Sequence, residues 1–234
     1  MILMLTNLTQ RLLVRYWFIL LILTAHPGLA LAVQTLNASV SAASNYNFRG
    51  LYQHFNENNE PSSRMTVHSS LAFWSESGFM LGGQSANVHN DFEIQGQAGF
   101  KLPLSDGDVS LIYHQFQYQT RPNFEEVHYA LQTDNAGLTY VQGLAQAGDA
   151  YWLDYAFTSP EISAQLQVGH YDPSLEQLGL NEAGNGDFYT VSLAQNYFNV
   201  KLSIAYTSRY NLNDSTWIVS IGSQWDAPLV APPS

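Results

Sequence analysis

Ser39-Val40-Ser41-Ala42-Ala43-Ser44-Asn45-Tyr46-Asn47-Phe48-Arg49-Gly50-Leu51-Tyr52-Gln53 alternates in polarity. Val40, Ala42, Tyr46, Phe48 and Tyr52 share one parity, while Ser39, Ser41, Asn45, Asn47 and Arg49 share the other. A period of two gives a β-strand one apolar and one polar face. A soluble sheet packed on a core shows the same alternation. Here, though, the pattern recurs along the chain in segments of about ten residues, the length at which a tilted strand crosses a bilayer.

Within that stretch, Ser44-Asn45-Tyr46-Asn47-Phe48-Arg49-Gly50-Leu51-Tyr52-Gln53 resembles the SNYxFRGxxQ opening of the TorF family of proteobacterial outer-membrane porins, also called the Gcw_chp family. The resemblance extends from about Ala38 to Trp225 through aromatic-glycine strand pairs such as Ser77-Gly78-Phe79. It implies an exported β-barrel that forms a channel, and it implies no catalytic residues. The chain departs from that pattern by running on through 226–234.

The N-terminus fits export. Arg11 and Arg15 precede the short apolar run Trp17–Leu23, Pro27 and Gly28 break it, and Ala30-Leu31-Ala32 matches a small-x-small cleavage site. Residues 1–32 are therefore expected to be a secretory signal peptide, 33–225 a barrel, and 226–234 a Pro-rich tail. The apolar run is too short for a retained membrane helix, and no later stretch approaches eighteen consecutive apolar residues.

Composition agrees. Only 12% of residues are charged while 13% are aromatic, 14 of them Tyr, where a soluble domain carries about 25% charge. The chain holds 8 basic and 19 acidic residues, and cleavage of the signal removes Arg11 and Arg15 but no acid. A balance this acidic argues against nucleic acid as a partner. With no cysteine there is no disulfide and no thiolate chemistry.

The remaining strands are expected at 64–74, 79–88, 91–102, 109–119, 125–133, 136–144, 150–157, 161–171, 188–195, 199–207 and 215–225. These make about twelve in all, an up-and-down antiparallel all-β barrel. Asp91 to Leu102 alternates most cleanly, whereas 109–119 has apolar residues on both parities and leaves its register open. The two longest connections, 55–63 and 172–187, are the first and ninth, so both lie at the same end of the barrel, as outer loops do.

Polar parity nominates Arg49, Arg64, His68, Glu93, Glu126 and Asp154 as lumen or constriction residues. A lipid-facing Arg49 would cost about 2–4 kcal/mol, which directs it inward. Arg49 and Arg64 would then face Glu126 and Asp154 across the outer half of the pore, or simply hold strands in register. Trp217 and Trp225, on the apolar parity of the last strand, are candidate interface anchors. His68 and Ser70 share a face and could form a nucleophile and base, but no hydrolase motif flanks them. The six histidines past residue 32 (His54, His68, His89, His114, His128, His170) lack metal-ligand spacing. The segment Asn181–Asp187 lacks the glutamate of a calcium loop. No metal or cofactor is expected.

The function expected is a passive, cation-preferring channel for small polar solutes or ions in a bacterial outer membrane. Its partners would be outer-membrane lipid and, during insertion, the barrel-assembly machinery. The alternatives are a plugged structural or ligand-binding barrel and, further off, an outer-membrane hydrolase.

Overall fold

A row of alternating strands leaves two unpaired edges unless the last strand returns to the first. In a computed structural model the chain makes that return, as a closed barrel of twelve antiparallel strands. The structure describes residues 33–45, 47–48, 51–52, 65–88, 91–120, 122–144, 147–159, 161–172, 186–209 and 214–228. The expected signal peptide lies outside the described residues.

The wall runs through β1 (Val33–Ala43), β4 (Thr66–Ser75), β5 (Phe79–Val88), β6 (Asp91–Leu104), β7 (Gly107–Tyr118), β8 (Phe124–Gln132), β9 (Ala136–Gly143), β10 (Asp149–Thr158), β11 (Ile162–Asp172), β12 (Gly186–Tyr197), β13 (Val200–Arg209) and β14 (Asp214–Pro228). Each strand pairs with its chain neighbour in the wall, and β1 closes on β14 from Thr35↔Pro228 to Ala43↔Ser220. Between β1 and β4, the two-residue strands β2 (Asn47–Phe48) and β3 (Leu51–Tyr52) form a separate small hairpin.

The opening stretch is therefore not one strand. The wall takes it only to Ala43. There Ser44 N–H donates to Val219 O at 2.8 Å and Ser44 Oγ accepts from Val219 N–H, which anchors the strand end on β14. The eleven residues of β1 already span a bilayer as a tilted strand, and they begin six residues earlier than the alternation suggests. At the other terminus β14 continues past Trp225, pairing Asp226, Ala227 and Pro228 with Asn37, Leu36 and Thr35.

Burial is inverted relative to a soluble sandwich. On β10, Leu153, Tyr155 and Phe157 are 61%, 60% and 63% exposed on the outside, while inward Ala150 is 1% exposed. Outward-parity acids are confined to one end among the described residues. Glu125, Asp149, Asp172 and Asp187 each lie within two residues of a strand end. Below them runs an apolar belt, where an unpaired charge would be costly. Trp217 and Trp225 both face outward, eight residues apart on β14. For a steeply tilted strand that separation is roughly 20 Å along the axis.

The two barrel ends differ. The turn end is closed by the short connections 76–78, 105–106, 133–135, 159–161 and 198–199, and the loop end carries 44–65 and 173–185. In the first short turn Gly78 has φ of 81°, and a Cβ there would meet Lys101 O at 2.0 Å. Only glycine fits that turn. Tracing the register once around returns to β1 with a shear of about 16 residues, so the strands are strongly tilted.

Candidate functional site in the lumen

Inward parity brings the polar rows of the strands together inside the barrel. With the shear taken into account, His68, Gln95, His114, Glu126, His128 and Trp152 stand within roughly two residues of one height, toward the loop end. Glu93 lies just above them on β6. Asp154, the sixth residue of ten-residue β10, lies two residues below Trp152 on the same face, at the lower margin of this group. Arg49 and Arg64 lie outside the described residues, so their opposition to Glu126 and Asp154 remains an expectation.

Glu93 and Glu126 are almost fully buried, at 2% and 0% exposure. Buried carboxylates require donors. Tyr118 Oη donates to Glu93 Oε2 at 2.6 Å, and His128 Nε2 hydrogen-bonds Glu126 Oε2 at 2.9 Å. Gln95 and His114 hydrogen-bond through Nε2 and Nδ1. The rings between them form a nearly continuous surface. Phe116 and Phe124 stack at 4.2 Å between centroids, His114 and His128 lie 4.0 Å apart, and His128 meets Trp152 edge-on at 6.1 Å.

Further round the wall, Val141, Ala150, Tyr171 and Phe188 form a buried apolar cluster with Trp152 packed against it. Phe188 and Trp152 both lean over Gly169. A Cβ there would fall 2.6 Å from Trp152 Cβ and 2.8 Å from Phe188 Cζ, so the missing side chain lets the two aromatics lie along the wall. Thr66, Ala86 and Thr207 are buried on other strands, and the loop-end interior is thus largely covered.

Toward the turn end the wall is hydroxyl- and amide-rich. Ser39 pairs with Ser70 at 2.7 Å and Ser203 with Ser220 at 2.5 Å, and nearer the loop end Thr190 pairs with Thr207 at 3.0 Å. Asp154 Oδ1 accepts from Gln165 Nε2 at 3.2 Å and Gln167 Nε2 at 3.0 Å. Lys101 and Asp108 form an ion pair of 2.8 Å. His68 and Ser70 both face inward on β4, but the Ser70 hydroxyl is engaged by Ser39, which does not suit a nucleophile poised on a histidine. Asp91 is used locally, accepting from Gln119 N–H, Thr120 N–H and Thr120 Oγ1 to hold the β7–β8 connection.

Parity in the sequence points to Glu93, Glu126, Asp154 and His68; His114 and His128 stand there only among six scattered histidines read as lumen or mouth residues, and Trp152, Gln165 and Gln167 are passed over. One signal was available: His114 and Glu126 lie on either side of the 119–123 connection, close enough in sequence to become register partners in a hairpin.

No protein-family model and no curated protein matches the chain, so the TorF resemblance rests on the 44–53 motif. Solved structures do match. The KdgM porin aligns with a TM-score of 0.56 at 9% identity, over 82% of this chain and 98% of that one. The NanC porin aligns at 0.50 and 12%, over 83% and 100%. A membrane protein solved in work on the mechanism of in-meso crystallization aligns at 0.58 and 13%, over 82% and 83%. The fold is that of an outer-membrane porin. At these identities the likeness is one of architecture alone, and any function has to be argued from this barrel's own wall.

Proposed function

We propose that the chain is exported through cleavage of residues 1–32 and inserts in a bacterial outer membrane as a passive channel for small polar solutes or ions. The observation that carries this proposal is the inversion of burial on a closed barrel: apolar side chains face out, and hydroxyls, amides and carboxylates face in. Such a wall is stable in lipid and offers an aqueous interior. The long connections would face outward and the short turns the periplasm.

Selection would be by width and wall charge. Among the described residues, inward Glu93, Asp108, Glu126, Asp154 and Asp226 outnumber inward Lys101 and Lys201, which supports cation preference. Reconstitution in planar bilayers tests it. A conductance whose reversal potential in a salt gradient favours cations is expected, and anion preference would overturn that part.

One observation favours a plugged barrel instead: inward Thr66, Glu126, Val141 and Tyr171 are fully buried at the loop end. The absence of any conductance from correctly folded, reconstituted barrel would decide for it.

A further inference from the structure

We infer that the inner face of β10 and β11 carries a subsite for a neutral saccharide, formed by Trp152 as a stacking platform with Asp154, Gln165 and Gln167 as hydroxyl partners. The assignment refines the solute class of the channel proposed above and rests on that proposal for its physiological meaning.

The platform is held from several sides. Trp152 packs on the Val141, Ala150, Tyr171 and Phe188 cluster, yet stays part-exposed toward the interior. His128 meets it at an interplanar angle of 84°. Gly169, its register partner on β11, leaves room for the indole to lie along the wall. A fixed indole with part of its surface free is a stacking surface for the C–H face of a sugar ring.

The polar row begins two residues down the same strand, about 7 Å away, roughly the span of one sugar ring. Asp154 Oδ1 gathers one N–H from each of Gln165 and Gln167, and Trp152 directs its indole N–H at the same carboxylate. Each glutamine amide carries by its chemistry a second N–H and a carbonyl oxygen. Gln165 is exposed and Gln167 half-buried, so the row presents donors and acceptors side by side.

That mixture decides the ligand class. A hydroxyl both donates and accepts, so it can satisfy an amide N–H and an amide or carboxylate oxygen together. An ammonium ion only donates, and would compete with donors already placed on Asp154. The neighbouring inner wall, with its Ser and Thr pairs, likewise offers hydroxyl chemistry, and among the described residues β9 to β12 carry no Lys or Arg to hold an acidic sugar.

The test uses the full chain refolded in detergent micelles, titrated with maltose and separately with choline chloride. Intrinsic tryptophan fluorescence and calorimetry are the readouts. Maltose is expected to bind with millimolar affinity and shift the emission, and choline to do neither. Gln167→Ala and Gln165→Ala should each weaken maltose binding at least fivefold. Trp152→Leu should abolish the shift; if that variant fails to refold, the two glutamine variants suffice. No maltose binding, binding unchanged in both glutamine variants, or choline binding in place of maltose would overturn the subsite. Planar-bilayer recording separates the two proposals. A barrel that binds maltose but carries no current refutes the channel and keeps the subsite, whereas one that conducts without binding maltose refutes the subsite alone.

Discussion

His128 Nε2 lies 2.9 Å from Oε2 of Glu126, and the carboxylate it serves has no exposed surface. Two residues apart on the inner face of β8, they form a polar contact within a wall whose other face meets lipid.

Truncation at this contact should therefore be costly. Glu126→Ala removes the acceptor of His128 and leaves a buried polar group, at a cost of about 1–3 kcal/mol. Glu126→Gln keeps an acceptor and should cost less. Urea unfolding of the refolded barrel, followed by tryptophan emission, measures both, and equal losses would show that the hydrogen bond contributes nothing.

Neighbouring residues on β12 test the two faces of the wall directly. Leu193 faces lipid, and Leu193→Arg should destabilise the barrel by about 2–4 kcal/mol. Ser192 faces the interior, where Ser192→Arg should cost far less and alter conductance. The fraction that resists SDS unfolding before boiling gives the comparison, and equal effects would mean the parity is misassigned.

Gly169 should not tolerate a side chain. Gly169→Val would drive its Cβ against Tyr151 O, Trp152 and Phe188, at 2.5, 2.6 and 2.8 Å. Overpacking of this kind costs about 1–3 kcal/mol. A wild-type unfolding midpoint in Gly169→Val would contradict the packing described here.

The two outward tryptophans should act as depth markers. Trp217→Ala or Trp225→Ala should shift the interfacial balance of β14 while leaving the barrel closed. Quenching by lipids brominated at different depths reads their positions. Strong quenching of both by mid-chain bromine would remove their role as anchors.

Parity made the strands readable where polarity and facing coincide. The span 79–88 agrees with β5, and 91–102 falls inside β6, because Phe92 and Ile94 face lipid while Asp91, Glu93 and Gln95 face in. β7 was opaque because the rule reverses within it. Gln115 and Gln117 face outward near the loop end, while Phe116 turns inward onto Phe124. The first strand was misjudged for a different reason. Alternation continues through Tyr46 and Phe48, but only the pairing with β14 determines that the wall ends at Ala43.

The site was legible only as a list of inward residues. Parity nominated Glu126 without showing that His128, on the same face two residues on, would serve it. Trp152 appeared as an aromatic on a polar face. Its significance depends on Gly169, seventeen positions later, which no local pattern connects to it. Contacts that run diagonally across strands depend on the stagger of the whole barrel.

The pairing of β1 with β14 joins the first and last strands of the wall. Until Asp214–Pro228 is in place, β1 has no partner on that side, and every partial sheet exposes two edges ready to pair with another chain. β14 must therefore be available before the wall can be sealed, and contacts this distant in sequence form slowly. The terminal strand sets the moment at which the molecule becomes safe from aggregation. A truncation within β14 would thus be expected to yield an open, adhesive sheet rather than a shorter barrel.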